Sequence, residues 1–195
     1  TGRLRISTDG ADRAVCEEIR SHLIDIRRAG HPVFLDLHQE QPGGSITLSV
    51  LAPIIDQNRF LGMVALVIDP NQYLYPMIQR WPTPTRTAET LLVRRVGDQV
   101  EFLNELRFQK NTALALRFPL SAPDLPAARA ARGEEGIMEG IDYRGESVIA
   151  AFRRVPDSPW FVVARMDKKE IFAPIRERLW LMVLVVSIGI GSAGV

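Results

Sequence analysis

In the run from His31 to His38, the residues Phe34, Asp36 and His38 stand two apart, and in the next run Ser45, Thr47 and Ser49 do the same. If both runs are strands, side chains two apart point the same way. The first triplet then shares one face, and the second forms a polar face opposite Ile46, Leu48 and Val50. A carboxylate, an imidazole and hydroxyls on one concave sheet face can hold a small hydrophilic solute through a few placed hydrogen bonds. The same alternation also suits a face that is simply solvated. His38 next to Asp36 adds a route to pH response, because an adjacent carboxylate raises a histidine pKa. In the second half, Asn104, Arg107, Tyr143 and Arg144 are the polar candidates for a ligand contact, and on strands they equally suit a surface rim.

Other chemistries find no support in the residues. His22, His31 and His38 fall on different elements without a ligand spacing, so no metal and no cofactor are expected. The chain contains no G-x-S-x-G elbow, no phosphate loop, no dinucleotide fingerprint and no H-E-x-x-H helix. It therefore reads as a non-enzyme, with any catalytic output beyond Val195. A formal net charge of +1 with scattered Lys and Arg argues against nucleic acid as a partner. The 195 residues, 46% hydrophobic, are enough for one or two units with real cores. Cys16 is the single cysteine, so no internal disulfide forms.

The elements that must position these residues are legible from periodicity. Arg3 to Ser7 alternates into the Asp9-Gly10 turn, as a strand would. From Arg13 to Ala29, Val15, Ile19, Leu23 and Ile26 make one apolar stripe, with Asp12 able to cap the helix and Gly30 to close it. Strands are expected at His31 to His38, Ser45 to Pro53 and Gly62 to Ile68, antiparallel because their links are short. "ETLLVRR" and "QVEFLNEL" flank Val96, Gly97 and Asp98 as a hairpin. The stretch "PLSAPDLPAARAARG" holds at best a short helix, and Ile137 to Tyr143, Ser147 to Arg154 and Trp160 to Met166 read as strands.

An internal repeat organises these elements. "GMVALVIDPNQYLYPMIQ" from Gly62 aligns without a gap on "WFVVARMDKKEIFAPIRE" from Trp160, matching Asp69 with Asp167 and Pro76 with Pro174. In both copies a strand ends in an Asp that can cap a helix, with Gln72 or Glu170 three residues later as in a capping box. The proline seven residues past the cap should kink each helix. Leu179 to Val195 then runs without one Asp, Glu, Lys or Arg, and at 1.5 Å per residue it covers most of a bilayer core of roughly 30 Å. It reads as a truncated transmembrane helix, with small residues such as Ser187 and Gly191 allowing close approach to a second copy.

The order of these elements resembles the double Cache domains, the extracytoplasmic PAS-like sensor modules of bacterial histidine kinases, chemoreceptors and cyclic-nucleotide signalling proteins. The likeness is carried by "GRLRIST" and "ITLSVLAPIIDQNRFLGMVALVID" in the first half, and by "LLVRRVGDQVEFL" and "YRGESVIAAFRRVPDSPWFVVARMD" in the second. It implies an α+β chain of two tandem PAS-like (Cache) lobes, each an antiparallel sheet with flanking helices, followed by a transmembrane helix. The boundaries are a membrane-distal lobe over 1–80, a linker over 81–87, a membrane-proximal lobe over 88–167, a juxtamembrane helix over 168–178 and the span over 179–195. In the family a long helix precedes the first strand, so an upstream piece is expected.

The resemblance further implies a homodimeric periplasmic or extracellular sensor held in the inner membrane, binding a small molecule such as an organic acid or another small polar solute. Family members that bind free amino acids carry an Asp five residues after the glycine of the last distal strand, with Tyr, Arg and Trp upstream. Here that position is Val67, and residues 1–61 contain no Trp or Tyr, so that ligand set is not implied. Lys168, Lys169, Arg176 and Arg178 before the span pull the other way, since positive flanks favour the cytoplasm, although long domains translocate regardless of charge. The alternative reading is a membrane-tethered PAS-like interaction or scaffold domain without a ligand.

Overall fold

The computed structural model describes residues 21–39, 44–57, 59–176 and 178–183. The expectations for Arg3 to Ser7, for the first half of the Arg13 helix, for Cys16 and for Leu184 to Val195 lie outside these residues. The chain divides between Met77 and Ile78 into two compact units.

In the first unit, helix α1 (Leu23–Ala29) ends where Gly30 adopts φ 66° and returns its N–H to the Ile26 carbonyl, the left-handed close that glycine makes cheaply. Strands β1 (Val33–Gln39), β2 (Ile46–Asp56) and β3 (Arg59–Ile68) form an antiparallel sheet in the order β1-β2-β3. Ile26 of the helix packs on Leu35 and Leu51. Helix α2 (Leu74–Gln79) follows.

The second unit is a six-stranded antiparallel sheet built from β4 (Glu89–Val96), β5 (Gln99–Phe102), β6 (Arg117–Pro119), β7 (Gly136–Ile141), β8 (Ser147–Arg154) and β9 (Trp160–Asp167). Its order is β6-β5-β4-β9-β8-β7, so its first long strand and its last lie side by side at the centre. Because β4 and β9 run antiparallel, Glu89 at the start of one is the partner of Arg165 near the end of the other. The chain therefore enters and leaves this sheet at the same end of its two central strands. Helix α3 (Pro126–Ala131) covers one face with buried Ala127, Ala128, Ala130 and Ala131, whose small side chains allow close packing on Val93, Phe102 and Val163. The short helix α4 (Lys168–Ile171) follows β9 directly.

Several expectations change on folding. Strand β5 stops at Phe102, short of the expected Leu106, because the loop beyond it is tied by its side chains to β4. Strand β6 has no sequence signal and exists by pairing with β5. The capping boxes do not close. Asp69 instead accepts from the Asn71 N–H and side-chain amide at 2.9 Å each, and α2 begins only at Leu74, so Pro76 falls in its first turn, where a missing N–H costs little. Asp167 sits at the N-cap of α4 without a side-chain cap bond. The helical path is interrupted at Phe172, two residues before Pro174. Among the described residues no helix is long and apolar enough to cross a membrane.

Candidate functional site

The polar residues of the first sheet are sorted by a register shift. Phe34 pairs with Val50 and Leu35 with Ser49, then the register slips, and His38 pairs with Thr47. Directly opposed residues share a face, and the one extra residue on β1 carries His38 over to the side of Ser49. His38, Thr47 and Ser49 thus lie on the side of Leu35 and Leu51, beneath α1, while Phe34 lies on the other. The expected parity holds for Thr47 and Ser49 on β2, fails on β1 where His38 leaves the side of Phe34, and is inverted in exposure. Ser49 is 0% exposed, whereas Phe34, Val64 and Leu66 on the far face are open. The reason is α1, which buries whichever side its Ile26 meets.

On that helix-covered side the polar groups are partly matched. His38 Nδ1 donates to the Asp36 carbonyl at 2.8 Å, which leaves Nε2 of a neutral ring to accept from the Thr47 hydroxyl at 3.4 Å. The Asp36 carboxylate accepts the Leu37 N–H at 2.6 Å. Ser49 Oγ is buried and has no hydrogen-bond partner among the described residues. Across the sheet from Ser49 stands Val67, an apolar neighbour.

In the second unit the candidates are bonded to other parts of the fold. The Asn104 Oδ1 accepts the Leu92 N–H at 2.7 Å, and its amide donates to the Glu105 carbonyl at 3.0 Å. Arg107 donates to the carbonyls of Ala88 at 3.0 Å and Thr85 at 3.2 Å. Tyr143 donates to Glu89 at 2.9 Å, and burial first, then the Glu89 charge, pushes its phenol well above the ordinary range. Arg144 bridges Asp142 and Asp167.

These side chains surround an ionic cluster that strand periodicity points to only in hindsight. Arg165, 1% exposed, pairs with Glu89, with Asp142 at 3.0 Å and with Asp167 at 3.3 Å. It occupies the inward parity of β9 after Phe161 and Val163, so an arginine in an otherwise apolar row is the one available signal. The Phe108 ring centroid lies 4.3 Å from the Arg144 guanidinium carbon and 5.4 Å from that of Arg165. Such a cluster is stable only while complete, because each remaining charge would be buried without its partner. The adjoining interior cavity is about 10 Å³, room for one water and not for a ligand.

Beyond the cluster, the entering and leaving chains are clasped together. Glu170 in α4 accepts from the Thr85 hydroxyl at 2.9 Å, the Arg86 N–H at 2.9 Å, the Thr87 N–H at 2.8 Å and the Thr87 hydroxyl. The Thr87 hydroxyl above all, then the Arg86 N–H, hold the Glu170 carboxyl down at about 2. Asp167 N–H donates to the Thr87 hydroxyl at 3.2 Å, and Arg165 donates to the Thr87 carbonyl at 3.3 Å.

No protein-family model and no curated protein matches the chain. Solved structures do. The extracellular domain of a chain designated a histidine kinase, mmHK1S-Z3, superposes with TM-score 0.58 at 15% identity over 84% of this chain and 59% of its own. The ligand-binding domain of Mlp24, solved with asparagine, gives 0.56 at 17% over 90% and 65%. The ligand-binding domain of the Pseudomonas aeruginosa PAO1 amino acid chemoreceptor PctB, solved with L-Arg, gives 0.52 at 16% over 87% and 66%. The fold is that of Cache-type sensor domains. The α+β class with antiparallel sheets accords with it. The chain spans under two thirds of the Cache-type domains of mmHK1S-Z3 and Mlp24.

Proposed function

We propose that the chain is the extracytoplasmic small-molecule sensing part of a bacterial receptor of the histidine kinase, chemoreceptor or diguanylate cyclase type. Its two units act as tandem Cache lobes, with 1–80 distal, 81–87 as linker, 88–167 proximal, and 168–178 leading to a span over 179–195. The observation that carries the reading is Ser49, a buried hydroxyl without a partner on the helix-covered side of the first sheet, in line with Thr47 and His38. A buried hydroxyl left unpaired is costly, and a ligand oxygen or nitrogen at that place removes the cost. The relatives solved with asparagine and L-Arg support a small polar ligand. Val67 beside Ser49 offers no carboxylate for an ammonium group, which favours an organic acid or a neutral polar solute over an amino acid.

Transmission follows from the clasp. A ligand that binds one arrangement better shifts the population toward it. The segment at 85–87 is bonded to Glu170, so a displacement of that segment reaches α4 and the helical residues 178–183. Leu179, Trp180, Leu181 and Met182 there are exposed, which supports membrane contact, and pairing of two such helices supports a homodimer.

A thermal-shift screen of the full chain against carboxylates, amino acids, amines and sugars tests the sensor reading. A ligand at 100 times its dissociation constant adds about 2.7 kcal/mol. The expected result is a stabilising compound whose effect falls about tenfold in affinity in Ser49→Ala or Thr47→Val. Because Ser49→Ala removes an unpaired buried group, the unliganded variant should melt no lower than the parent. Silence across the panel with folded protein would favour the tethered scaffold reading.

A further inference from the structure

The second unit contains a cavity of about 480 Å³ walled by the segment before β4 and by the loop after β5. That size lies within the roughly 300–1,000 Å³ of pockets that hold small organic ligands. It is lined by residues of the second unit alone, among them Asn104 and Arg107, two of the polar residues singled out from the sequence.

The polar groups on its wall divide into those already bonded and those that are not. The Asn104 amide is used by the Leu92 N–H and the Glu105 carbonyl. The Glu89 carboxylate is held by Arg165 and Tyr143. Glu105 accepts from the Thr112 N–H at 3.2 Å and from its hydroxyl at 3.4 Å. Two donors remain. The Trp81 indole N–H is buried without an acceptor, and the Lys110 ammonium has no ion-pair partner among the described residues. Arg107 adds positive charge that its neutral carbonyl acceptors do not cancel.

The one buried wall group left unpaired is therefore a donor, on a wall that also carries the cations Arg107 and Lys110, beside an aromatic side chain. A buried N–H that has lost water without gaining an acceptor is uncommon in folded proteins and points to a missing oxygen. A carboxylate oxygen meets both donors through charge-assisted bonds, and the indole plane offers area to an apolar body. We propose that this cavity binds a small organic carboxylate, its oxygens accepting from Trp81 Nε1–H and Lys110 Nζ and its body lying against the indole. Thr85 lines the same cavity and donates to Glu170, so the bound molecule abuts the clasp on α4.

The test titrates the full chain with benzoate and with succinate, and in parallel with benzamide and succinamide, following indole emission and melting temperature. The expected result is saturable binding of at least one carboxylate, with its amide about tenfold weaker, as for loss of a hydrogen bond to a charged group. Trp81→Phe, followed by melting temperature, keeps a smaller aromatic ring and removes the N–H, and Lys110→Gln changes an exposed residue without touching the core; each should weaken binding about tenfold while Ser49→Ala leaves it unchanged. Should Trp81→Phe fold poorly, Lys110→Gln decides alone. Binding by neither carboxylate, or binding undiminished in both variants, overturns the proposal. Binding lost in Ser49→Ala but kept in Trp81→Phe also overturns it, while leaving the sensor reading intact.

Discussion

Glu170 shows how much one side chain can be asked to hold. Its carboxylate collects hydrogen bonds from Thr85, Arg86 and Thr87, all earlier in the chain by most of a sheet. Its pKa is lowered from 4.5 to about 2, so the folded state binds its proton less readily than the unfolded chain does. The stabilisation is thus fully present above the unfolded value and is lost as pH falls through the folded one. The melting temperature should drop between pH 4.5 and about 2, and Glu170→Gln, which removes the titration, should show a shallower drop over that window. An equal pH dependence in the variant would remove Glu170 from the account. Arg165 makes the complementary case, since its three carboxylate partners are buried or nearly so and its loss would strand them.

At the scale of elements, β7 is placed by a close approach rather than by its own side chains. Gly140 lies against the backbone of the loop before α3, where an added Cβ would stand 2.3 Å from the Asp124 carbonyl oxygen. That same carbonyl accepts the Ile141 N–H at 2.8 Å, so the loop cannot retreat without breaking the bond. Gly140→Ala should therefore destabilise the second unit by about 1–3 kcal/mol, read from denaturant midpoints at unchanged slope. A neutral result would mean that the loop yields freely. The periodic elements, α1 and the long strands, were legible because their apolar spacing is local. Strand β6 and the early stop of β5 were not, because each depends on which chain lies alongside.

For the whole molecule, the two units differ in what they bury. Among the described residues the first has a buried trio of Ile26, Leu35 and Leu51, while the second encloses Val93, Val100, Phe102, Leu106, Ala150 and Val163 among others. Local stability follows buried apolar contact. Amides of β2 should exchange with solvent faster than those of β9 in native-state hydrogen exchange, and a small molecule bound on the Ser49 face should slow β2 selectively. Equal protection in both strands of the unliganded chain would contradict this ranking.

Local spacing alone determined that the chain is α+β, where α1 and the long strands run, and which residues alternate in parity along β2. Those follow from side-chain period and from glycine at turns, which neighbours in sequence fix. Which parity is buried was decided only by tertiary structure, because a register slip on β1 and the seating of Ile26 together put Ser49 inside and Phe34 outside. The same holds for the capping boxes. Asp167 and Glu170 have the spacing of a cap, but Arg144 and the Thr85 to Thr87 segment arrive from far along the chain and, with Arg165 two residues before Asp167, take their oxygens first. Sequence spacing states what a side chain can reach within its own turn, and only the folded chain states who else is within reach.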